Sequence, residues 1–476
     1  MARLAWLAWL AICLPFLPLL PLVAAEARLN PVRESVQEVL DEMSIKYNMS
    51  FSFGYVDGKG RVGVAAGLDD IFRKTRLSPD SLIPLGSVTK SWTAVMTMQA
   101  VERGSLALDD PANKWIDPVL SRLWKTTMED LWGKQAEQVR VRDLLGMTSG
   151  FNDYDDFFLE HFTLAFSADD AGPLIYLRSS AKYGFLCAPG TCAAYSGANY
   201  VLLGLVLVQV HGMWSWQDLY QLSVIPSKLF ATGRYSRTSF LNLGRCSQYP
   251  GVAHQYAWQY WGNKSNMQQF KDLYANSCLN GWTMGNIASS AKDLATFFYD
   301  LFTLPVEDGG FLTNSSLQEM KKMKRLSDNW CFGPTGAGSC KYGMGILTDQ
   351  VGQDVWPLQD PSQAEAVRVI GHPGEDWGSG CSPCGYNPTY GFGICVAYTS
   401  VIGMNCTGDF LENYGAVQEA TCRAYDAVLR VVGGPRLNCT VPASSAEREM
   451  KNCTWERQPR PERPHGPWPP MRAMVI

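Results

Sequence analysis

Between residues 30 and 46, apolar side chains recur at Val32, Val36, Val39, Leu40 and Met43, the spacing of one helix face. The period then changes. Ser50–Val56 and Arg61–Ala66 are β-rich runs that flank Asp57-Gly58-Lys59-Gly60, a hairpin signal. A helix is predicted from Ser87 to about Arg103, stopped by Gly104. From 105 to about 330 helical patterns and long loops dominate, with Ala198–Val210 and Ser290–Leu301 the clearest helices. Strand patterns return at Tyr342–Leu347, Ala366–Ile370 and Gly391–Thr399, before a final helix near Gly415–Val432. Early and late strands separated by helices predict an α/β (α+β) fold with one sheet drawn from both ends of the chain. The predicted domain is 30–432, with its α/β part at 30–104 and 331–432 and a large helical insert at 105–330.

The flanking segments read differently. Arg3 precedes an apolar run, Leu4 to Ala25, that ends in small residues and reads as a signal peptide over 1–25, cleaved after Ala25 or Ala27. The run approaches membrane-spanning length, but Pro15, Pro18 and Pro21 weaken a spanning helix. Val201–Val210 is too short to span, so no stable membrane span is expected after cleavage. Beyond 433 the chain is rich in Pro and charge, and 433–476 is predicted to be a disordered tail.

Composition narrows the compartment and the partners. A net charge of −4 supplies no basic field for nucleic acid. Of the 14 cysteines, Cys13 lies in the leader, and the close pairs Cys187/Cys192, Cys331/Cys340 and Cys381/Cys384 suggest stapled loops in a secreted protein. Cys381-x-x-Cys384 has zinc spacing, but the chain has five histidines and no second pair at ligand spacing, so no metal or other cofactor is expected. Asn48, Asn263, Asn314, Asn405, Asn438 and Asn452 open N-x-[ST] glycan acceptors. These features point to the secretory-pathway lumen or the extracellular space.

The chemistry centres on Leu85-Gly86-Ser87-Val88-Thr89-Lys90. Ser87 falls at a helix start and Lys90 one turn on, on nearly the same face. A serine hydroxyl is a poor nucleophile until a base takes its proton, and Lys90 can do so only when neutral, a state that burial favours. The same S-x-x-K spacing occurs at Ser179–Lys182 and Ser289–Lys292, so the pattern alone does not select Ser87.

Context does. Gly86-Ser87-Val88-Thr89-Lys90 and the downstream Glu102-Arg103-Gly104-Ser105-Leu106-Ala107-Leu108-Asp109-Asp110-Pro111 resemble the serine β-lactamase-like family. This family takes in class C β-lactamases, D-Ala-D-Ala carboxypeptidases, related carboxylesterases and eukaryotic β-lactamase-like hydrolases. Further stretches match in the family's order: Val141-Arg142-Asp143-Leu144-Leu145-Gly146-Met147-Thr148-Ser149-Gly150, with Met147 in place of the usual His, then Pro189-Gly190-Thr191 and Tyr195-Ser196-Gly197-Ala198-Asn199-Tyr200-Val201-Leu202-Leu203-Gly204, and Gly371-His372-Pro373-Gly374.

The resemblance covers about 30–432. It implies an antiparallel sheet and an acyl-enzyme on Ser87, with Lys90 and Tyr195 as the base pair. It makes His372 and Gly374 the third motif, and pairs the backbone N–H of Glu375 with that of Ser87 as an oxyanion hole. Tyr274-Ala275-Asn276 is a closer literal match to Y-x-N than Tyr195-Ser196-Gly197, but lacks the neighbouring motifs.

Where the family usually carries an Asn that binds the substrate's amide, this chain has Gly197. The expectation is therefore an esterase-like hydrolase of a small-molecule or peptide acyl substrate. A peptidase, transpeptidase or β-lactamase, and a non-catalytic binding protein on the same fold, are the competing readings.

Overall fold

The structure, a computed structural model, describes residues 19–154, 169–258, 270–326, 341–348, 361–399 and 410–439. Helix α1 (Leu19–Tyr47) leads into strands β1 (Ser50–Asp57) and β2 (Gly60–Ala66), and the hairpin forms at the expected turn. Helix α2 is Thr89–Glu102, α3 is Ala198–Val210, α4 is Ala291–Thr303 and α5 is Phe410–Val432. Late in the chain come β3 (Ile370–Gly371), β4 (Gly374–Asp376), β5 (Ser379–Asn387) and β6 (Phe392–Thr399).

One antiparallel sheet joins both ends of the chain in the order β2-β1-β6-β5-β3. It then continues through the short strands Leu347–Thr348, Lys341–Tyr342 and Lys324–Arg325. Strand β4 pairs with β5 beside that path.

The central strands alternate by face, as the two-residue period of a strand demands. Phe51, Phe53 and Tyr55 of β1 and Phe392, Ile394 and Val396 of β6 turn toward α1 and α5. There they bury Val32, Val36, Val39, Leu40 and Met43 of α1 with Tyr425, Val428 and Leu429 of α5. The opposite face carries Gly54 and Gly393, and α4 lies directly on it. A Cβ at Gly54 would fall 2.1 Å from the Ala291 carbonyl, and one at Gly393 would fall 2.2 Å from that of Ala295.

Helix α4 therefore belongs to the sheet layer rather than to a helical insert reaching 330. Its start is fixed by Ser290, whose side chain accepts the Asp293 N–H. The region between α2 and α4 is mainly helical, but it also holds a small sheet in which Ile287–Ser289 pairs with Ile83–Pro84 and Thr238–Phe240.

Three more expectations change. β5 was not legible as a strand, because Gly380, Pro383 and Gly385 interrupt it. Its register against β6 shifts between Cys381 and Cys384, which accommodates the proline. Ala366 lies in a 3₁₀ turn, not a strand.

The packed chain also passes Val432. Leu437 is buried, its N–H bonds to Asp426, and Cys439 is disulfide-bonded to Cys422, so the tail expected from 433 begins no earlier than 440. Residues 440–476 and most of the expected leader lie outside the described residues.

Among the described residues, Cys187–Cys192 forms as read and Cys246–Cys278 is a further bridge. Cys384 pairs with Cys395 across the β5–β6 ladder rather than with Cys381, which is a buried thiol. Cys331 and Cys340 lie outside the described residues. No described helix is long and apolar enough to cross a membrane. Of the glycan acceptors, Asn48, Asn314 and Asn438 are exposed.

Candidate active site

Ser87 sits in the turn between Ile83–Pro84 and α2. Gly86, at φ +53°, bridges to Asn286, and the Thr89 hydroxyl donates to the Gly86 carbonyl (2.7 Å) while accepting the Ile287 N–H (2.9 Å). These bonds lock the turn and leave Ser87 partly exposed at the helix start, with Lys90 buried beneath it. The geometry converges on one atom. Lys90 Nζ donates to Ser87 Oγ at 2.8 Å, and Tyr195 OH donates to the same oxygen at 2.9 Å. Lys90 Nζ also reaches the Met284 carbonyl at 3.2 Å and lies 5.0 Å from the Tyr195 ring.

Tyr195 arrives by a separate route. Its segment lies along residues 147–153: Ala194 N–H donates to the Met147 carbonyl, the Ser196 hydroxyl to the Asn152 carbonyl, and Gly197 N–H to Asp153 Oδ1 (2.7 Å). Met147, at φ +57°, is fully buried, and its sulfur faces Ser196 N–H and the Asn199 amide at 3.4 and 3.3 Å. The Cys187–Cys192 loop is clasped to the same turn through Gly190 N–H and the Thr148 carbonyl.

Strand β4 closes the third side. A Cβ on Gly374 would stand 1.9 Å from the Leu85 carbonyl, and one on Gly86 would stand 1.8 Å from the Glu375 carbonyl. Only glycine at both positions lets β4 press against the Ser87 turn, and this brings the Glu375 backbone beside Ser87.

His372 differs from the expectation of a cleft residue. It is fully buried behind Tyr195, 6.2 Å between ring centroids, with Nδ1 2.5 Å from the Pro373 carbonyl and Nε2 3.3 Å from Tyr342 OH. Burial first, and then the positive charge of Lys90, push its imidazole down to about 3, so it is neutral at physiological pH. With Nδ1–H donating, Nε2 is left to accept from Tyr342. His372 thus packs behind Tyr195, with its ring nitrogens held by Pro373 and Tyr342.

The decoys separate cleanly. Tyr274 stacks on His254 at 4.0 Å, Lys292 pairs with Asp80, and Ser179 lies in the helix Pro173–Ala181. Gly197 also gains a physical reason. A Cβ there would meet Met284 Sδ at 2.4 Å and Tyr154 Cε1 at 2.8 Å, so these two side chains fill the space an Asn would occupy. Asn199 offers no substitute, since it is fully buried and accepts the Ser149 hydroxyl. Sequence reasoning passed over Met284, Tyr154 and Asp153, which stand in no motif and meet the site only through the fold. Cys381, Cys384 and Cys395 bring their sulfurs within 4.8 Å of one another, but two of them are bonded together.

A serine oxygen that accepts hydrogen bonds from Lys90 and Tyr195, beside a glycine-bounded strand, is the arrangement that the motif resemblance implies. The Beta-lactamase family model matches residues 52–404, and the chain belongs to that family. Penicillin-binding protein 4 of Amycolatopsis lactamdurans is 30% identical over 142 residues, 30% of this chain and 33% of that protein. The matches span between 33% and 43% of the curated relatives' own lengths.

Among solved structures, the D-amino acid amidase from Ochrobactrum anthropi SV3 superimposes with a TM-score of 0.61 at 20% identity, over 84% of this chain and 99% of that one. A D-stereospecific amidohydrolase from Streptomyces sp. gives 0.58 at 20% identity, over 81% and 98%. At that identity the likeness is one of fold.

Proposed function

We propose that this protein is a secreted serine hydrolase that works through an acyl-enzyme on Ser87 and favours esters. The observation that carries the proposal is the pair of hydrogen bonds from Lys90 and Tyr195 to Ser87 Oγ, 2.8 and 2.9 Å. In the reaction Ser87 Oγ attacks the substrate carbonyl and its proton passes to the Lys90–Tyr195 pair. The Ser87 and Glu375 N–H groups stabilise the developing oxyanion. The pair then protonates the leaving alkoxide. Water, deprotonated through Tyr195, completes hydrolysis and restores Ser87. No metal or cofactor enters these steps.

Ester preference is supported by the filled space over Gly197 and by the buried Asn199, which leave no carboxamide of α3 for an amide substrate. Secretion is supported by the four disulfides among the described residues. Labelling with a fluorophosphonate, followed by peptide mapping, tests the assignment. The adduct is expected on Ser87 and absent in Ser87→Ala, and an adduct on Ser179 or Ser289 would overturn it.

A further inference from the structure

We propose that Asp376 is the specificity residue of this cleft and that the acyl group accepted at Ser87 carries a cationic amine, as an aminoacyl ester does. The inference rests on the reading of Ser87 as nucleophile and names the substrate class that reading leaves open.

Asp376 is the last residue of β4, two positions after Gly374, so both lie on the face of the strand that meets the nucleophile turn. A chain of contacts runs from Ser87 to Asp376. Lys90 Nζ holds the Met284 carbonyl, and Met284 and Tyr154 cover Gly197. Tyr154 meets Tyr176 edge-on at 5.3 Å between centroids. Tyr176 OH donates to Asn280 Oδ1 (3.1 Å) and accepts the Gly281 N–H (2.8 Å). Asn280 Nδ2 donates to Asp376 Oδ1 at 2.7 Å, and β4 returns to Ser87 through Gly374.

Asp376 itself is held by neutral groups. The groups that donate to Asp376 are the Asn280 amide, the Gln255 amide and the Trp377 N–H, and all are neutral. Among the described residues, no Lys, Arg or His forms an ion pair with it.

Asp293 supplies the contrast. Its carboxyl is pushed up to about 6 by burial, as is that of Asp376, but Arg61 lies 3.6 Å away and Lys292 adds to the neutralisation. Asp293 is a structural carboxylate with its own cations. Asp376 is enclosed by protein, remains partly exposed and has neutral donors only. At pH 7 it is largely ionised and lacks a counter-charge among the described residues, so a substrate ammonium would gain a charge-assisted hydrogen bond there. A neutral acyl chain would leave the Asp376 charge uncompensated, and an anionic one would be repelled.

The test compares kcat/KM for the thioethyl ester of alanine with that of N-acetylalanine, using the full chain. Wild type is expected to prefer the free amine by at least about tenfold, and Asp376→Asn to bring the ratio close to one. Equal rates on the two esters in wild type, with the fluorophosphonate adduct on Ser87, would overturn the role of Asp376 and leave the nucleophile standing. A preference that survives in Asp376→Asn would do the same. Should that variant fail to fold, Asn280→Lys provides an internal ammonium beside Asp376, and the same collapse of the ratio is expected. No hydrolysis of either ester and no adduct on Ser87 would instead overturn the nucleophile, and this proposal with it.

Discussion

Two regions of the cleft were built under different constraints. In the corner around Ser87, the residues Ser87, Lys90, Tyr195, His372 and Gly374 stand in the family's motifs, and Lys90 and Tyr195 both reach Ser87 Oγ within 2.9 Å. On the opposite wall the usual Asn is Gly197, and Met284, Tyr154, Asn280 and Asp376 come from stretches with no motif. The corner leaves little freedom, because three elements must meet at one oxygen within hydrogen-bond distance. The wall only has to fit an acyl group, so side chains of several kinds can build it. The proposed chemistry is therefore legible where geometry is strict, and the proposed specificity has to be read from contacts.

The sharpest break of this comparison lies in the corner. If Lys90 and Tyr195 act as one unit on Ser87, Lys90→Ala and Tyr195→Phe should each lower kcat for a p-nitrophenyl ester by at least about 100-fold. The double variant should be little worse than the poorer single one, unlike two independent sites whose effects add. Tyr274→Phe, which changes a ring stacked on His254, should be nearly silent. A damaging Tyr274→Phe beside an active Tyr195→Phe would shift the second motif and undo the contrast between corner and wall.

Next in size is the approach of β4. Gly374→Ala places a methyl group 1.9 Å from a backbone carbonyl, and no side-chain rotation can relieve that. The strand must retreat from Ser87, taking the Glu375 N–H with it. We expect a loss of about 100-fold in kcat, the scale for one lost oxyanion donor. Gly104→Ala is the control. It changes a glycine that is itself left-handed, at φ +69°, with nothing within 4 Å of its Cβ position. It should cost about 1 kcal/mol of stability and leave kcat alone.

The corner should also show itself in stability. His372 titrates at about 3 in the fold against an ordinary 6.5, so the folded state holds it neutral. The sign follows from linkage: this contribution is present above pH 6.5 and is lost as pH falls from 6.5 toward 3. By pH 5 the loss amounts to roughly 2 kcal/mol, at about 1.4 kcal/mol per unit. Asp293 and Asp376, both raised to about 6, act in the opposite direction over part of the same range. The informative quantity is therefore the difference between wild type and His372→Asn. Denaturant melts at pH 7 and pH 5 should show wild type losing about 2 kcal/mol more than the variant. Parallel losses would mean that His372 is not held neutral behind Tyr195.

Much of this was legible before the structure. The α1 periodicity, the 57–60 turn and the helix Ala198–Val210 are local signals that tertiary contacts only reinforce, and all three elements form. Ser87, Lys90 and Tyr195 were found because ordered motifs fix them, and the structure brings all three together. β5 was missed because Gly and Pro residues suppress strand signals even in a central strand that is buried on both faces. The burial of His372 could not be read, since a lone histidine carries no record of what surrounds it. The side chains opposite Gly197 were invisible for the same reason. Residue 284 meets residue 197 only after the chain folds.

That last contact yields the smallest expected effect and the finest test of the wall. If Gly197 merely lacks an amide-binding side chain, Gly197→Asn should raise amide turnover relative to ester turnover directly. The structure expects otherwise, because an Asn would collide with Met284 Sδ and the Tyr154 ring edge. Met284 is flexible at its sulfur and can yield, while Tyr154 is braced against Tyr176. Gly197→Asn alone should thus cost about 1–3 kcal/mol of stability, the range for overpacking, and change the amide-to-ester ratio little. Adding Met284→Ala opens the space, and the double variant should regain stability relative to Gly197→Asn and shift the ratio toward amides several-fold. The backbone carbonyl that Lys90 uses is retained in Met284→Ala, so that single variant separates loss of packing from loss of chemistry. A ratio that rises fully in Gly197→Asn alone would show that the wall is open rather than filled, and the ester preference would then rest only on the missing side chain.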